Sequence, residues 1–303
     1  MRWQRCGLVW GPDASLRWGT NSALQPTPHL RDDKTIRVYV GIRDDSGVSR
    51  VGFVDLDATD PARVVGVCDE PALEVGPPGA FDDGGVVPCA VVDVGRELRL
   101  YYAGYQRSHR VRFLVFSGLA TSTDGGRIFR RCSTVPILER TNDEHCFRVI
   151  HSILNEHGIW RAWYGGGSTW IEENGRTLPS YDIRYIESPD GLRFPQVGRV
   201  CIPLEAGEVR VGRPYVLRRA DRYEMYFAAQ RRNSSYRLAF ATSVDGLEWT
   251  RCERGLDIRP TEGAWDSDMM SFPAVVTAHG RTYLFYNGNA MGAEGFGLAI
   301  GES

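Results

Sequence analysis

The side chains best suited to chemistry in this sequence are carboxylates that return at one phase of a repeat. Asp82 and Asp83, Glu144, Glu208, and Asp266 with Asp268 each stand just before a strand-like run. Arg148, His151, Arg210 and Arg213 stand beside them. Cleaving a glycosidic bond takes one carboxylic acid to protonate the leaving oxygen and a second carboxylate as base or nucleophile. Burial and neighbouring charge can raise one pKa of such a pair and leave the other low. Asp83, Glu208 and Asp266 are the expected catalytic acids. Arg213 has a planar fork that can clamp a carboxylate or phosphate. Asp82, Glu144, Arg148, His151 and Asp268 are expected to touch substrate.

Three further residues extend that set. The longest interruption between strand-like runs, 165–180, carries Trp170 and reads as a loop at the rim of a site. A Trp there can cover the apolar face of a sugar or pack the loop down. Asn287 and Asn289 follow the last aromatic strand and can bond sugar hydroxyls or form a turn. No metal or other cofactor is expected.

The elements that must hold these groups are strands. The phrases 122–129, 188–194 and 243–249 share a Ser, an Asp-Gly pair and an aromatic. Asp-Gly marks a tight turn, because Gly accepts positive φ and Asp bonds nearby amides. Two runs rich in β-branched and aromatic residues precede each phrase, such as 98–104 with 116–121 and 223–227 with 236–240. Counting 36–40 with 50–54 and 282–286 with 296–300, the sequence holds five such units. A four-stranded unit repeated five times reads as an all-β, five-bladed β-propeller. Pro28, Pro88, Pro214 and Pro273 mark the starts of the inner strands, with His151 in the matching place of the third unit.

The last unit ends without an outer strand. Trp3, Arg5 and Cys6 repeat the spacing of Trp249, Arg251 and Cys252, and that of Phe129, Arg131 and Cys132. The N-terminal strand is therefore expected to complete the last blade and close the ring, hiding two edges. The expected organisation is one domain, 1–303.

Composition narrows the partners. With 36 basic and 38 acidic side chains the formal net charge is −2, so no nucleic-acid partner is expected. No window reaches the roughly 20 apolar residues of a membrane span. Seven cysteines, an odd number without a Cys-x-x-Cys pair, point to reduced thiols and a cytoplasmic protein.

Longer phrases carry a family likeness. The segments 81–88, 122–129, 208–214, 265–273 and 286–298 together resemble the five-bladed propellers of glycoside hydrolase families 32, 43, 62 and 68. The chain looks closest to the glycosidase-like propellers of bacterial polysaccharide gene clusters. The resemblance implies a carbohydrate-active enzyme that cleaves or transfers a glycosidic bond on an intracellular sugar or glycan intermediate. Its partner would be a small sugar, an oligosaccharide or a nucleotide sugar. One departure stands out. Family 43 enzymes carry an acid at the start of the first blade, whereas 21–28 holds Gln25 and Thr27 and no acid. That departure favours the alternative, a propeller that binds a sugar or nucleotide sugar without hydrolysing it. A protein-interaction platform is a third reading.

Overall fold

The computed structural model describes residues 2–13, 15–252 and 255–302. The chain is nearly all β-strand. Among the described residues the one α-helix is the short segment Asn289–Gly292. No helix there is long and apolar enough to cross a membrane.

Among the described residues the strands pair within five consecutive antiparallel groups. The first holds Asn21–Leu30, Thr35–Arg43, Ser49–Asp57 and Val64–Val67. The second holds Val86–Val94, Glu97–Arg107, Phe113–Ser122 and Arg130–Arg131. The third holds Phe147–Glu156, Ile159–Glu173, Arg176–Ser188 and Arg199–Ile202. The fourth holds Glu208–Arg218, Tyr223–Arg231, Arg237–Ser243 and Thr250–Arg251. The fifth takes Ser271–Ala278, Arg281–Asn287 and Phe296–Glu302, and its outer strand is the N-terminal Arg2–Trp10. Short parallel contacts, Phe147 with Val115 and Tyr181 with Arg210, join the three middle units into one twelve-stranded sheet.

Apolar cores lie between consecutive units. Tyr39, Phe53, Phe81 and Tyr102 pack the first unit on the second. Trp163, Ile183, Val216 and Met225 pack the third on the fourth. Ile36, Val38, Phe285 and Leu298 pack the first on the fifth. Burying a side chain of this size contributes about 1.5–3 kcal/mol, so each face is held mainly by this apolar contact.

The Asp-Gly turns latch neighbours together. Asp124, Asp190 and Asp245 each accept backbone N–H groups two to four residues on, at 2.8–3.2 Å. The glycine carbonyl that follows faces the preceding unit. Gly126 accepts from Tyr39 Oη, Gly191 from Tyr101 Oη and Gly246 from Trp163 Nε1, all at 2.9 Å. A Cβ on Gly126 would stand 2.0 Å from Tyr39 Oη, and φ is +75° there, so only glycine fits. These turns are scaffold.

One expectation needs correction here. The segment 165–180 is no irregular loop. It is the end of a β-hairpin formed by Ile159–Glu173 and Arg176–Ser188, paired to Glu173 with Arg176. Its glycines allow close backbone pairing, and strand pairing satisfies amides that an open loop would leave to water.

Candidate functional site

Each inner strand carries a register shift near its start. The shifts fall at Gln25 and Pro26, at Cys89, at His151, at Arg213 and Pro214, and at Phe272 and Pro273. Gln25, Arg213 and Phe272 have φ of 54°, 56° and 52°, a costly conformation for side chains with a Cβ. A bulge re-aims its side chain and bends its strand. The proline that marks the first unit is therefore Pro26. Pro28 lies beyond the shift.

The bulged residues meet one another. Arg213 Nη1 donates to the carbonyls of Cys89 at 2.6 Å and His151 at 3.2 Å. Its Nη2 donates to Thr27 Oγ1 at 3.0 Å and to the carbonyl of Pro26 at 3.3 Å. Gln25 Nε2 donates to the carbonyl of Pro88 at 2.9 Å. Arg213 is thus a buried cation held by neutral oxygens. Burial lowers its pKa below the usual guanidinium range. Burial, then the charge of Arg213, holds His151 well below the usual imidazole range, so its ring is neutral.

Above this floor opens a cavity of about 1490 Å³ to which all five units contribute. Gln25, His151, Arg213, Ser271 and Phe272 line its base. The Phe147 and Tyr181 rings, stacked with centroids 4.4 Å apart, form part of its wall. Tyr181 and Tyr236 share a hydrogen bond of 2.6 Å between their hydroxyls. The lining holds seven arginines: Arg43, Arg107, Arg112, Arg176, Arg210, Arg213 and Arg237. It holds two carboxylates, Glu173 and Asp268. Glu173 accepts from Arg210 Nη1 at 2.8 Å and from the Asn233 N–H at 2.9 Å. Burial pushes its pKa up, but those partners together bring it below the usual carboxylate range. Asp268 is exposed and accepts from Ser235 Oγ at 3.1 Å.

Of the residues expected from sequence, His151, Arg213 and Asp268 line this cavity. The other acids are engaged elsewhere, in a repeated pattern. Asp82 accepts from Tyr102 Oη at 3.0 Å and Arg131 Nε at 2.7 Å. Asp266 accepts from Tyr286 Oη at 2.9 Å and pairs with Arg5. Glu144 accepts from Tyr164 Oη at 2.6 Å and Arg184 Nη1 at 2.7 Å, and pairs with Arg148. Glu208 pairs with Arg251 and lines a separate cavity of about 460 Å³. In each case the acid stands just before the inner strand or, for Glu208, at its first residue, and its partners lie on the other strands of the same unit or on that inner strand itself. Asp83 caps a turn, accepting the Gly79 N–H at 2.8 Å. Glu208 and Arg213, five residues apart on one strand, line two separate cavities.

The remaining expected contacts also bind the fold. Asn287 is fully buried and joins the last unit to the first, accepting the Gln25 N–H and donating to the Ala23 carbonyl, both at 2.8 Å. Asn289 Oδ1 accepts the N–H groups of Asp268 and Met269 at 2.8 and 2.9 Å. Trp170 packs on the apolar cluster around Phe147. Among the described residues no group of three His, Cys, Asp or Glu side chains could hold a metal ion.

Sequence reasoning missed the arginines at the hairpin ends, above all Arg43, Arg107 and Arg112. Each stands near a turn, where a solvated side chain is the ordinary expectation, although 107–112 gathers three arginines and a histidine. Their one shared signal is position, since each lies at the mouth end of a second or third strand.

The architecture is that of the glycoside hydrolase-like β-propellers. It superposes on a solved glycoside hydrolase with a TM-score of 0.73, 18% identity, and coverage of 98% of this chain and 90% of that one. It superposes on a thermostable family-43 glycoside hydrolase with a TM-score of 0.70, 14% identity, and coverage of 93% and 89%. No family model matches the sequence. The chain belongs to the same family as the uncharacterized protein Rv1502 of Mycobacterium tuberculosis, to which it is 33% identical over 306 residues covering the whole of both chains.

Proposed function

We propose that residues 1–303 form a single five-bladed propeller, closed by the N-terminal strand, whose large cavity binds a saccharide without cutting it by a pair of carboxylates. Five antiparallel units, the pairing of Arg2–Trp10 with Phe296–Glu302 and the core shared by the first and last units support the ring. A cavity walled by aromatic rings and set with amide, hydroxyl and guanidinium groups suits a sugar, which offers apolar C–H faces and many hydroxyls. The observation that carries the non-hydrolytic part is the engagement of Asp82, Glu144, Glu208 and Asp266 in ion pairs outside this cavity. A hydrolase of the usual kind needs two free carboxyl groups, about 5–5.5 Å or 6.5–9.5 Å apart, flanking the bond. The free thiols of all seven cysteines fit a reducing compartment such as the cytoplasm.

Glycosidic-bond cleavage is the second reading. The exposed Asp268 carboxylate on the cavity wall favours it. The two separate in one experiment. The purified protein is incubated with an oligosaccharide library while ligand-observed NMR follows binding and a reducing-end assay follows cleavage. Binding with no new reducing ends is expected. Cleavage that disappears in Asp268→Asn would overturn the non-hydrolytic reading.

A further inference from the structure

The chain as a whole is slightly acidic, with a formal charge of −2. Its cavity is strongly basic. Of the arginines on the wall, only Arg210 has a carboxylate within ion-pair distance among the described residues. We propose that the cavity selects an anionic saccharide, its oxyanion gripped by Arg43, Arg107 and Arg112 and its sugar hydroxyls meeting His151, Arg213 and Ser271 on the floor. The inference rests on the saccharide reading above and adds the charge of the ligand.

Three observations carry it. First, the three arginines share one edge of the cavity. Arg43 ends the second strand of the first unit, and Arg107 and Arg112 flank the corresponding hairpin of the second. Arg107 Nη2 donates to the carbonyl of Ser46 at 3.0 Å, which brings the two hairpins together. Second, these cations lack an anion among the described residues. Arg43 is half-buried, and among the described residues its one side-chain bond is to Ser22 Oγ at 3.4 Å. Burial lowers its pKa, Tyr105 opposes that, and the like charge of Arg112 adds to the lowering. Like charges held together in a recess without a counter-ion are unfavourable, and an oxyanion between them relieves that cost. Third, the floor has polar atoms in want of partners. Among the described residues His151 Nδ1, Arg213 Nε and Ser271 Oγ find no hydrogen-bond partner, although these residues are only 4%, 2% and 1% exposed. A buried polar group left without a partner is costly, so the floor is built to receive hydroxyls or water.

Guanidinium groups bind carboxylate and phosphate alike. The ligand is therefore a uronic acid-type sugar or a phosphorylated one, nucleotide sugars included. Isothermal titration calorimetry with glucose, maltose, glucuronic acid, glucosyl phosphate, UDP-glucose, UMP and inorganic phosphate tests both parts. At least one anionic saccharide is expected to bind at least tenfold more tightly than glucose or maltose, and added salt should weaken it. Glucuronic acid as the tightest probe identifies a carboxylate site, and the glucosyl phosphates a phosphate site. The double variant Arg107→Ala, Arg112→Ala alters exposed tips and should keep its circular dichroism spectrum. It should lose at least tenfold in affinity for the anionic saccharide and nothing for a neutral one. Neutral sugars binding as tightly as anionic ones, with no effect of the double variant, overturn the anionic site and leave the saccharide reading standing. UMP or phosphate binding as tightly as UDP-glucose overturns the saccharide reading and leaves the anion site. No binding of any probe at millimolar concentration overturns both.

Discussion

Arg251 Nη1 donates to both carboxylate oxygens of Glu208, at 3.0 and 3.1 Å. Glu208 opens the inner strand of the fourth unit and Arg251 stands in its outer strand, so the pair staples the sheet across the two strands between. Arg131 with Asp82 and Arg5 with Asp266 make the same staple in the second and fifth units. A hydrogen bond to a charged group contributes about 1.5–3 kcal/mol. Glu208→Gln should therefore lower unfolding stability by about 2 kcal/mol while leaving saccharide affinity unchanged. Thermal unfolding and calorimetry check the two halves, and a melting temperature equal to that of the parent sinks the staple.

Removing residues 1–10 takes away more than one edge strand. Arg5 leaves the fully buried Asp266 without its cation. Trp3 leaves Tyr226, whose ring it meets edge-on at 6.1 Å. Breaking a buried ion pair by losing one partner costs about 3–5 kcal/mol, a large share of a protein's net stability. The truncated chain is expected to be largely unfolded at room temperature by circular dichroism. A truncation melting within a degree or so of the full chain defeats the closure.

Much of this architecture is legible in the sequence because it repeats. The Asp-Gly turns and the Trp3, Arg5, Cys6 spacing carry local chemistry that a sequence displays directly. The acids are legible as a recurrence, and such a recurrence reads naturally as a ring of catalytic groups. A scaffold staple recurs for the same reason that a strand does. The partner needed to tell the two apart, Arg131, Arg251 or Arg5, lies in the aromatic-x-Arg-Cys phrase, but on the far strand of the sheet. The first bulge falls at Gln25 and Pro26 rather than Pro28, and a register shift leaves no trace in residue type beyond proline. The basic wall is only partly legible: Arg210 and Arg213 stand at the phase of the acids and 107–112 is locally basic, but Arg43, Arg176 and Arg237 lie on separate hairpins and meet them only in the fold.

His151 gives the fold a pH dependence. Its folded-state pKa lies well below that of the unfolded chain, because burial and the Arg213 charge both oppose its protonation. The unfolded state therefore binds more protons between the two values. The stability that the neutral ring contributes is fully present above about pH 6.5 and is lost as pH falls below it. His29, whose pKa burial also lowers, contributes in the same window. His151→Gln should flatten part of the decline between about pH 7 and 5, measured as denaturant midpoints. A variant whose pH profile runs parallel to that of the parent removes His151 as a source.

Arg213 reaches from the fourth unit into the first, second and third. Its two terminal nitrogens donate to four oxygens on Pro26, Thr27, Cys89 and His151. Planarity matters, because one rigid fork serves all four directions at once. A lysine has three donors on one compact head and leaves some of those oxygens bare. Arg213→Lys should lower stability by about 3 kcal/mol at neutral pH. It should also acquire a new pH dependence. Burial without a carboxylate depresses a lysine pKa below its unfolded value of about 10.4. The unfolded chain then binds the extra proton, so the variant should gain stability as pH rises from about 7 towards 10. The parent shows no such gain from this position, because a guanidinium keeps its proton throughout. Denaturant midpoints of both proteins across that range decide it. If the difference between them stays constant with pH, position 213 is wet or carries an anion nearby, and the view of Arg213 as a buried cation held by neutral oxygens fails.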